Sequence, residues 1–277
     1  MKRELDIIDY FKTKETFQLQ WNEELACFET FPKPSTVEIG RYYESEEYIS
    51  HQKEAKSLKD IAYNWVRDYM LKTKINWIEK EIKAGGRILD IGCGVGEFLK
   101  KAKQHQFKVT GVEPNTKAKE IAIENKLDVF SEVHEIGETK FNLISLWHVL
   151  EHLHDPNEFL GQLKKHLETD GKIFIAVPNF RSYDARYYKE FWAAYDVPRH
   201  LYHFSKESIK TLAEQNGYKI KRSYPLKFDS YYVSLLSEKY KTGNKTINWI
   251  WRGFLSNKKA KKTGEWSSLV YVLEMNK

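Results

Sequence analysis

Two histidine-rich segments carry the side chains best suited to proton transfer. His148, Glu151 and His152 follow an apolar stretch, and their spacings of three and four predict that they share one face of a helix. His200 and His203 lie further on, in the segment YDVPRHLYHFS. Because histidine exchanges protons near neutral pH, we predict that the catalytic residues are His200, His148, Glu151 and His203, with His200 as the general base.

The same side chains also suit other tasks. His148, Glu151 and His152 could hold a divalent metal if His200 or His203 joined them, although we predict no metal site. Glu151 and His152 could instead form hydrogen bonds to neighbouring loops and hold their helix in place. The second segment could act only as a lid, without taking part in proton transfer.

A glycine-rich loop predicts a ligand site at the end of the first core strand. The stretch DIGCGVGE contains Gly92, Gly94 and Gly96, which allow a tight turn and let a ligand approach the backbone. Dinucleotide-binding loops have Gly or Ala where this chain has Glu97, and a carboxylate at that point would repel a diphosphate. The loop therefore favours a ligand without phosphate.

Two further carboxylates define that ligand more closely. Asp90 precedes the loop and suits a ligand with positive charge. Glu113 ends the next strand and could accept hydrogen bonds from two ribose hydroxyls. S-adenosylmethionine has an ammonium group, a sulfonium, a ribose and no phosphate, so these residues indicate it as the cofactor in preference to NAD.

The elements that must position these residues alternate between strands and helices. Residues 1–46 show no regular period, whereas apolar residues recur every three or four positions from 54 to 83, which predicts a helix. Strands are then predicted at 87–92, 107–113, 127–130, 141–146, 172–177, 218–224 and 267–275, with a turn at 170–171 and helices at 96–106, 115–125, from 155 onward and at 205–216. This alternation predicts a doubly wound α/β sheet.

Four of these segments, taken in order, resemble the motifs of class I S-adenosylmethionine-dependent methyltransferases. They are LDIGCGVGEFL, VTGVEPN, FNLISLWHVLEHLHDP and DGKIFIAVPN. The chain is similar in particular to the branch that includes ubiquinone-type O-methyltransferases and the sugar methyltransferases of polysaccharide gene clusters. The resemblance implies a Rossmann-like, mostly parallel seven-stranded sheet with an antiparallel last strand and cap insertions.

The resemblance also implies roles for individual residues. Asp90 would anchor the amino group of the methionine part of the cofactor, and Glu113 would bind the ribose. Tyr43 and His51 would close over the methionine end. The full set implied for cofactor binding is Asp90, Gly92, Gly94, Gly96, Glu113, Pro114, Ser131, Leu146, Trp147, Tyr43 and His51.

The positive charge of the chain is concentrated in one late segment. The chain has 45 Lys and Arg against 39 Asp and Glu, and seven of the basic residues but no acidic residue lie between Lys241 and Lys262. This segment could contact an anionic surface such as lipid, or form a cap helix whose aromatic residues face the protein while its lysines face water. Because the rest of the chain is close to neutral, duplex nucleic acid is not expected as a partner.

We predict four regions along the chain. Residues 1–53 form an N-terminal cap segment, 54–227 the S-adenosylmethionine-binding core, 228–266 a basic aromatic cap insertion and 267–277 the last core strand. The cap segments are expected to have no core of their own. Two cysteines, no secretory signal and no long apolar run predict a cytoplasmic protein, with contact to the inner membrane face as an option.

These observations together predict a methyltransferase that acts on a hydroxyl group of a small molecule or of a sugar in a polysaccharide precursor. Three alternatives are open. The chain could methylate RNA or tRNA, it could bind S-adenosylmethionine without catalysis, or, as the least favoured alternative, it could be a dehydrogenase. The oligomeric state is not predicted.

Overall fold

Strands and helices alternate through most of the chain, as the hydrophobic pattern predicts. The computed structural model describes residues 4–43, 58–244 and 246–276. The strands are β1 (Glu4–Ile8), β2 (Thr16–Asn22), β3 (Cys27–Phe31), β4 (Arg87–Ile91), β5 (Lys108–Val112), β6 (Val129–Phe130), β7 (Phe141–Trp147), β8 (Leu167–Pro178), β9 (Tyr202–His203), β10 (Tyr218–Pro225) and β11 (Ser268–Met275). The helices are α1 (Leu58–Ile78), α2 (Glu97–Gln104), α3 (Thr116–Glu124), α4 (Pro156–Gln162), α5 (Tyr183–Tyr188), α6 (Lys206–Gln215), α7 (Asp229–Thr242) and α8 (Asn248–Thr263).

Seven strands form the larger sheet, in the order β10-β11-β8-β7-β4-β5-β6. β4 pairs in parallel with β5 and β7, and β5 pairs in parallel with β6. The apolar runs that predicted these strands are buried, since Ile88 and Leu89 of β4 and Leu143 and Ile144 of β7 have no exposed surface. The predicted doubly wound, mostly parallel sheet with an antiparallel last strand is confirmed.

Side-chain caps set the beginnings of two helices where the sequence predicts them. The Ser205 hydroxyl accepts a hydrogen bond from Ser208 N at 3.2 Å, and the Ser208 hydroxyl accepts one from Ser205 N at 3.0 Å. Asp155 accepts a hydrogen bond from Glu158 N at 2.8 Å, directly before Pro156. These bonds satisfy N–H groups that have no partner within the helix, so α6 and α4 begin as predicted.

The predicted turn at Asp170 and Gly171 is wrong. Both residues lie within β8, which begins at Leu167. A Cβ at Gly171 would lie 2.7 Å from the Leu167 side chain. The glycine therefore permits a close approach inside a continuous strand, and it does not mark a turn.

The chain divides into two compact units, each made of separate stretches of sequence. The first unit consists of Met1–Glu44, His148–Leu160 and Ile175–Val272, and the second consists of Ser45–Trp147, Gly161–Phe174 and Leu273–Lys277. The predicted cofactor residues from Asp90 to Trp147 belong to the second unit. The predicted catalytic residues belong to the first.

The first unit begins with strands, which corrects the prediction of an irregular segment. β1, β2 and β3 pair antiparallel, and β9 joins β3 with His203 opposite Phe28. Phe17 and Leu19 of β2 are both buried, because alternate residues of a strand lie on one face. The strands were missed because each is short and the last partner comes from a distant part of the chain.

The two predicted cap segments, 1–53 and 228–266, share a hydrophobic core with the segment after β8, which corrects the expectation that they have none. This core joins Leu19 and Phe28 of the N-terminal strands to Trp192 and Tyr195 of the segment after β8, and to Val233 of α7. All five side chains are buried. Within the first unit, these segments therefore form a folded body with strands, helices and apolar packing of its own.

The predicted basic aromatic insertion, 228–266, folds into two helices, α7 and α8, that pack on each other. Ser230 of α7 donates a hydrogen bond to Gly253 O of α8 at 3.2 Å. The expectation that the aromatic residues of this segment face the protein is wrong for Trp251 and Phe254, which are 58% and 44% exposed. None of the helices in the described ranges is long and apolar enough to cross a membrane.

Candidate functional site

The glycine loop after β4 has a backbone that glycine adopts far more readily than other residues. Gly92, Gly94 and Gly96 have φ values of 66°, 55° and 81°, in the left-handed region. A Cβ at Gly96 would also lie 2.2 Å from Leu127 Cδ1. At Gly94, in contrast, a Cβ would meet no described atom within 4 Å. The loop therefore turns sharply into α2 and leaves open space beside Gly94.

Two carboxylates lie beside this loop. Glu113 accepts hydrogen bonds from Gly94 N at 2.7 Å and from Asn115 N at 2.9 Å. Asp90 is buried and accepts a hydrogen bond from the Ser145 hydroxyl at 2.6 Å. Ser145 faces Asp90 because the two residues are register partners in β4 and β7. Sequence reasoning missed Ser145, although an alignment of the two strands would have found it.

Burial shifts both carboxyl groups toward their neutral forms. It raises the pKa of Asp90 to about 7, although the Ser145 hydroxyl and the charge of Lys74 oppose this shift. Burial also raises the pKa of Glu113, against the two backbone N–H groups that bond to it. A positively charged ligand beside Asp90 would favour its ionised form. The environment of Asp90 is therefore suited to a cation.

Trp147, at the end of β7, presents its ring to a positive charge. Lys74 Nζ lies 4.1 Å from the ring centroid. Phe98 and Phe174 flank the ring, with centroid separations of 5.4 and 6.3 Å. An aromatic face that accommodates an ammonium group also suits a sulfonium. The role of Trp147 in cofactor binding nevertheless stays a prediction.

The remaining predicted cofactor residues of the second unit lie at or just after strand ends. Ser131 follows β6, and its hydroxyl is 2.6 Å from Lys119 Nζ. Pro114 follows β5 and is exposed, whereas Leu146 is fully buried within β7. All of them therefore lie near the carboxyl ends of parallel strands, the edge at which such sheets bind ligands.

Glu97, whose carboxylate is expected to repel a diphosphate, forms an ion pair. Its Oε1 lies 2.9 Å from Arg67 Nη1 of α1. The guanidinium offsets part of the negative charge of Glu97. Glu97 therefore disfavours a diphosphate less strongly than the sequence alone suggests.

His148 does not lie on a helix with its neighbours, which corrects the prediction of a shared helical face. It has a left-handed φ of 58°, and a single 3₁₀ turn, Leu150–His152, follows. Its Nδ1 is 3.1 Å from Glu151 Oε1, and its Nε2 is 3.2 Å from Asp229 Oδ2. Burial opposes a charge here, but the hydrogen bonds to these carboxylates raise the pKa of His148 to about 10. Because a protonated imidazole cannot accept a proton, His148 is better suited to holding Glu151 than to acting as a base.

Glu151, His152 and His200 converge, since one donor atom from each lies within 4.8 Å of the other two. Nδ1 of His152 is 2.9 Å from Arg199 O, and Nδ1 of His200 is 2.9 Å from Ala194 O. A carbonyl oxygen can only accept, so each Nδ1 carries a proton and Nε2 is the ring nitrogen left to take one up or to bind a ligand. Glu151 Oε2 is buried and has no hydrogen-bond partner among the described residues.

This cluster has two chemical uses. Burial, together with nearby His200, lowers the pKa of His152 to about 4, so His152 is neutral at physiological pH and can accept a proton. Two histidines and one carboxylate could equally bind a divalent cation, with the bonds to the carbonyl oxygens orienting both rings. The expectation of no metal stays a prediction.

Three other predicted site residues are not among the residues that converge with Glu151. His203 is buried, with Nε2 3.0 Å from Thr30 Oγ1, where it supports the pairing of β9 with β3. The hydroxyl of Tyr43, which was expected to touch the cofactor, lies 2.8 Å from His152 Nδ1. His51 lies outside the described residues. Tyr43 therefore belongs to the histidine cluster of the first unit.

Sequence reasoning missed a buried network of charges in the first unit. Arg199 is 5% exposed, and its Nη2 lies 2.6 Å from Asp196 Oδ1 and 3.2 Å from Asp9 Oδ1. Asp9 and Arg199 are 190 residues apart, so no local pattern signals their contact. Asp229, the partner of His148, belongs to the late insertion and likewise gave no signal.

Comparison with known proteins assigns this arrangement to a family. Residues 63–222, more than half of the chain, match the family model described as a methyltransferase domain. The ubiquinone biosynthesis O-methyltransferase of Coxiella burnetii is 26% identical over 159 residues, which cover 50% of this chain and 68% of that protein.

Two solved structures are similar to this chain in fold. One is the magnesium protoporphyrin IX methyltransferase ChlM from Synechocystis PCC 6803 with bound SAH, at a TM-score of 0.59 and 11% identity, covering 88% of this chain and 100% of that one. The other is the cyclopropane synthase MmaA2 from Mycobacterium tuberculosis, at a TM-score of 0.54 and 15% identity, covering 88% and 99%. At these identities the likeness concerns the fold alone.

Proposed function

This chain belongs to the methyltransferase domain family, and from that premise we propose that it methylates a hydroxyl oxygen of a small molecule or of a sugar. The methyl donor is S-adenosylmethionine. The O-methyltransferase among its relatives supports an oxygen acceptor. The proposal therefore concerns the chemical class of the acceptor.

The observation that carries the proposal is the orientation of the imidazole at position 200. Nδ1–H of His200 donates to Ala194 O, so Nε2 is the ring nitrogen left to take up a proton. His152 has its Nδ1 against a carbonyl oxygen in the same way. An alcohol needs a base as it attacks, because its own oxygen is a weak nucleophile while protonated. Histidine is the side chain suited to that task near pH 7.

In the proposed reaction the acceptor oxygen attacks the methyl carbon of the sulfonium in line with the breaking bond. The C–S bond breaks, and its electron pair returns to sulfur, which becomes a neutral thioether. The hydroxyl proton moves to Nε2 of His200. The products are a methyl ether and S-adenosylhomocysteine, and the imidazolium then releases its proton to water. The protein supplies position, exclusion of water and the base.

The variant His200→Asn tests this role. Its amide N–H can replace the bond from Nδ1 to Ala194 O, but the side chain has no basic nitrogen. We expect kcat to fall about 10²–10⁴-fold with unchanged S-adenosylmethionine affinity. The measurements are S-adenosylhomocysteine release with panels of nucleotide sugars and phenolic compounds, and calorimetry with S-adenosylmethionine.

His154 provides the matched control, because its Nε2 also bonds to a backbone carbonyl, that of Pro34. His154→Asn should leave kcat within about twofold, because His154 is not one of the residues that converge in the cluster. Equal kcat in wild type and His200→Asn would remove His200 as the base. Binding of S-adenosylmethionine with no product from either panel would instead favour a binding module without catalysis.

A divalent cation held by Glu151, His152 and His200 is the second candidate use of the cluster. Such a cation would orient the acceptor oxygen and lower its pKa. Titration of the apoprotein with zinc or manganese, followed by calorimetry, tests this directly. Binding that is lost in Glu151→Gln, together with activity that requires the metal, would make His200 a ligand and not a base.

A further inference from the structure

Helix α8 has its small residues against the protein and its large residues in solvent. Gly253, Ser256 and Ala260 are buried. A Cβ at Gly253 would lie 2.6 Å from Tyr231 Cδ1 of α7, so the two helices approach closely at this glycine. The Ser256 hydroxyl donates to Asp184 Oδ1 of α5 at 2.6 Å. The orientation of α8 is therefore fixed by specific contacts on its inner face.

The outer face of α8 begins with an apolar stripe. Ile247, Ile250, Trp251 and Phe254 are 82%, 47%, 58% and 44% exposed. Spacings of three and four place them on one side of the helix. The rings of Trp251 and Phe254 stack, with centroids 5.4 Å apart. Single exposed apolar residues are common, but four adjacent ones mark a contact surface.

The same face continues as a basic surface. Lys258, Lys261 and Lys262 are exposed on the last turns of α8. Successive residues of a helix are about 100° apart, which places these lysines on the same side as the apolar stripe. The lysines and the stripe together occupy about 120° of the helix circumference, opposite the buried small residues. α8 contains no acidic residue. One face thus combines bulky apolar and aromatic groups with positive charge that no acidic residue of α8 offsets.

Other basic residues of the insertion 228–266 contact aromatic rings of the protein. Lys241 and Arg252 lie over the Tyr187 ring at 4.6 and 3.9 Å, and Lys259 lies over Tyr183 at 3.9 Å. These contacts anchor the helix pair to α5. The lysines of the outer face are therefore the ones available for an external partner.

We propose that the outer face of α8 binds the interface of an anionic phospholipid bilayer. Ile247, Ile250, Trp251 and Phe254 enter the headgroup region, and Lys258, Lys261 and Lys262 contact phosphate groups. Tryptophan and lysine suit this boundary, and an interfacial helix needs no membrane-spanning length. The inference goes beyond methyl transfer and does not depend on the acceptor.

Charge favours lipid over two other partners. A second copy of the chain would bring an equally basic helix, with no acid on it to pair with these lysines. Nucleic acid would satisfy the lysines, but it would leave the isoleucines without an apolar partner. Of these three partners, the anionic bilayer is the one that matches both halves of the stripe.

The test is flotation of the full chain with vesicles of phosphatidylcholine, with or without about one third phosphatidylglycerol. We expect binding to the anionic vesicles only, weakening as salt rises from low to about 0.5 M. Trp251→Ser with Phe254→Ser should weaken the partition coefficient about tenfold or more. Lys258→Glu with Lys261→Glu should weaken it at least about 25-fold, since each lysine contributes about fivefold.

Matched controls lie elsewhere on the surface. Trp65→Ser removes an equally exposed tryptophan from α1, and Lys210→Glu with Lys221→Glu reverses two exposed lysines outside α8. Both controls should bind vesicles like the wild type. All variants should bind S-adenosylmethionine normally, which checks that they fold.

Four results would overturn the proposal. The first is no binding to anionic vesicles, or equal binding to neutral ones. The second is a concentration-dependent dimer that the Trp251 and Phe254 substitutions abolish, without any lipid binding. The third is binding to RNA oligonucleotides through the three lysines while vesicles are ignored. Equal loss in the control variants would also refute a role specific to α8.

Discussion

In the second unit, backbone conformation positions the residues that are predicted to bind S-adenosylmethionine. In the first unit, buried side-chain contacts position the histidine cluster. In the second unit, the three loop glycines have positive φ values and Glu113 bonds to the backbone of Gly94. In the first unit, Arg199 pairs with Asp9 and Asp196, while Glu151 depends on a protonated His148. The first unit should therefore be sensitive to lost charges, and the second to any added Cβ at a loop glycine.

The largest expected effect is the loss of the Arg199 network. Arg199→Ala leaves Asp9 buried without its cation, and removing one partner of a buried pair typically costs about 3–5 kcal/mol. We expect the free energy of unfolding to fall by this amount in urea titrations followed by circular dichroism. If this variant does not fold, Asp9→Asn, which removes the charge but keeps an oxygen acceptor, should show a smaller loss.

Arg181→Ala is the matched control. Arg181 also forms an ion pair, with Glu207 at 2.8 Å, but both side chains are exposed. Exposed pairs contribute about 0–1 kcal/mol, so this variant should unfold almost like the wild type. Equal losses in the two variants would mean that burial does not set the strength of these pairs, and the contrast between the units would lose its basis.

The next effect concerns the loop that turns into α2. Gly96→Ala places a Cβ at a left-handed φ of 81° and 2.2 Å from Leu127 Cδ1. The left-handed conformation costs about 1–2 kcal/mol, and the displaced leucine adds about 1–2 kcal/mol in a packed core. We therefore expect stability to fall by about 2–4 kcal/mol and S-adenosylmethionine affinity to fall with it, measured by urea titration and calorimetry.

Gly243 separates these two contributions. It has a left-handed φ of 74° at the end of α7, and a Cβ there would meet no described atom within 4 Å. Gly243→Ala should therefore cost only about 1–2 kcal/mol and leave S-adenosylmethionine binding intact. A loss as large as that of Gly96→Ala would show that the contact with Leu127 has no weight.

The predicted elements that the structure contains are those that depend on residues close together in the sequence. Gly92, Gly94 and Gly96 lie in the predicted loop because glycine adopts that backbone far more readily than other residues, and Ser205 begins α6 because a hydroxyl satisfies free N–H groups. Asp155 and Pro156 begin α4 for similar reasons. These signals act within a few residues and can be read without knowing the tertiary structure.

The features that were missed depend on distant partners. β3 pairs with β9, which lies more than 170 residues later in the chain. Asp229, which contacts His148, belongs to the insertion 228–266. The outward orientation of Trp251 follows from the fit of Gly253 against Tyr231, which no periodicity reveals. A helical pattern shows that α8 has two faces, but packing alone decides which face is buried.

The smallest expected effect is a pH dependence at Asp90. Burial raises the pKa of Asp90 to about 7, with Ser145 and Lys74 opposing the shift and Glu113 adding to it. At pH 6 most molecules therefore carry a neutral Asp90, and a cationic donor must displace its proton. Affinity for S-adenosylmethionine should rise about five- to tenfold from pH 6.0 to pH 7.5, measured by calorimetry with proton release at the lower pH.

Asp90→Asn and S-adenosylhomocysteine sharpen this last test. The amide retains an oxygen that can accept from the Ser145 hydroxyl but cannot titrate, so binding should be weaker and equal at the two pH values. S-adenosylhomocysteine keeps the ammonium group and lacks the sulfonium charge. An equal pH slope for both ligands would place the ammonium beside Asp90, whereas a flat response to S-adenosylhomocysteine would place the sulfonium there. A slope that persists in Asp90→Asn would assign the titration to another group, with Glu113 the nearest candidate, because burial raises its pKa as well.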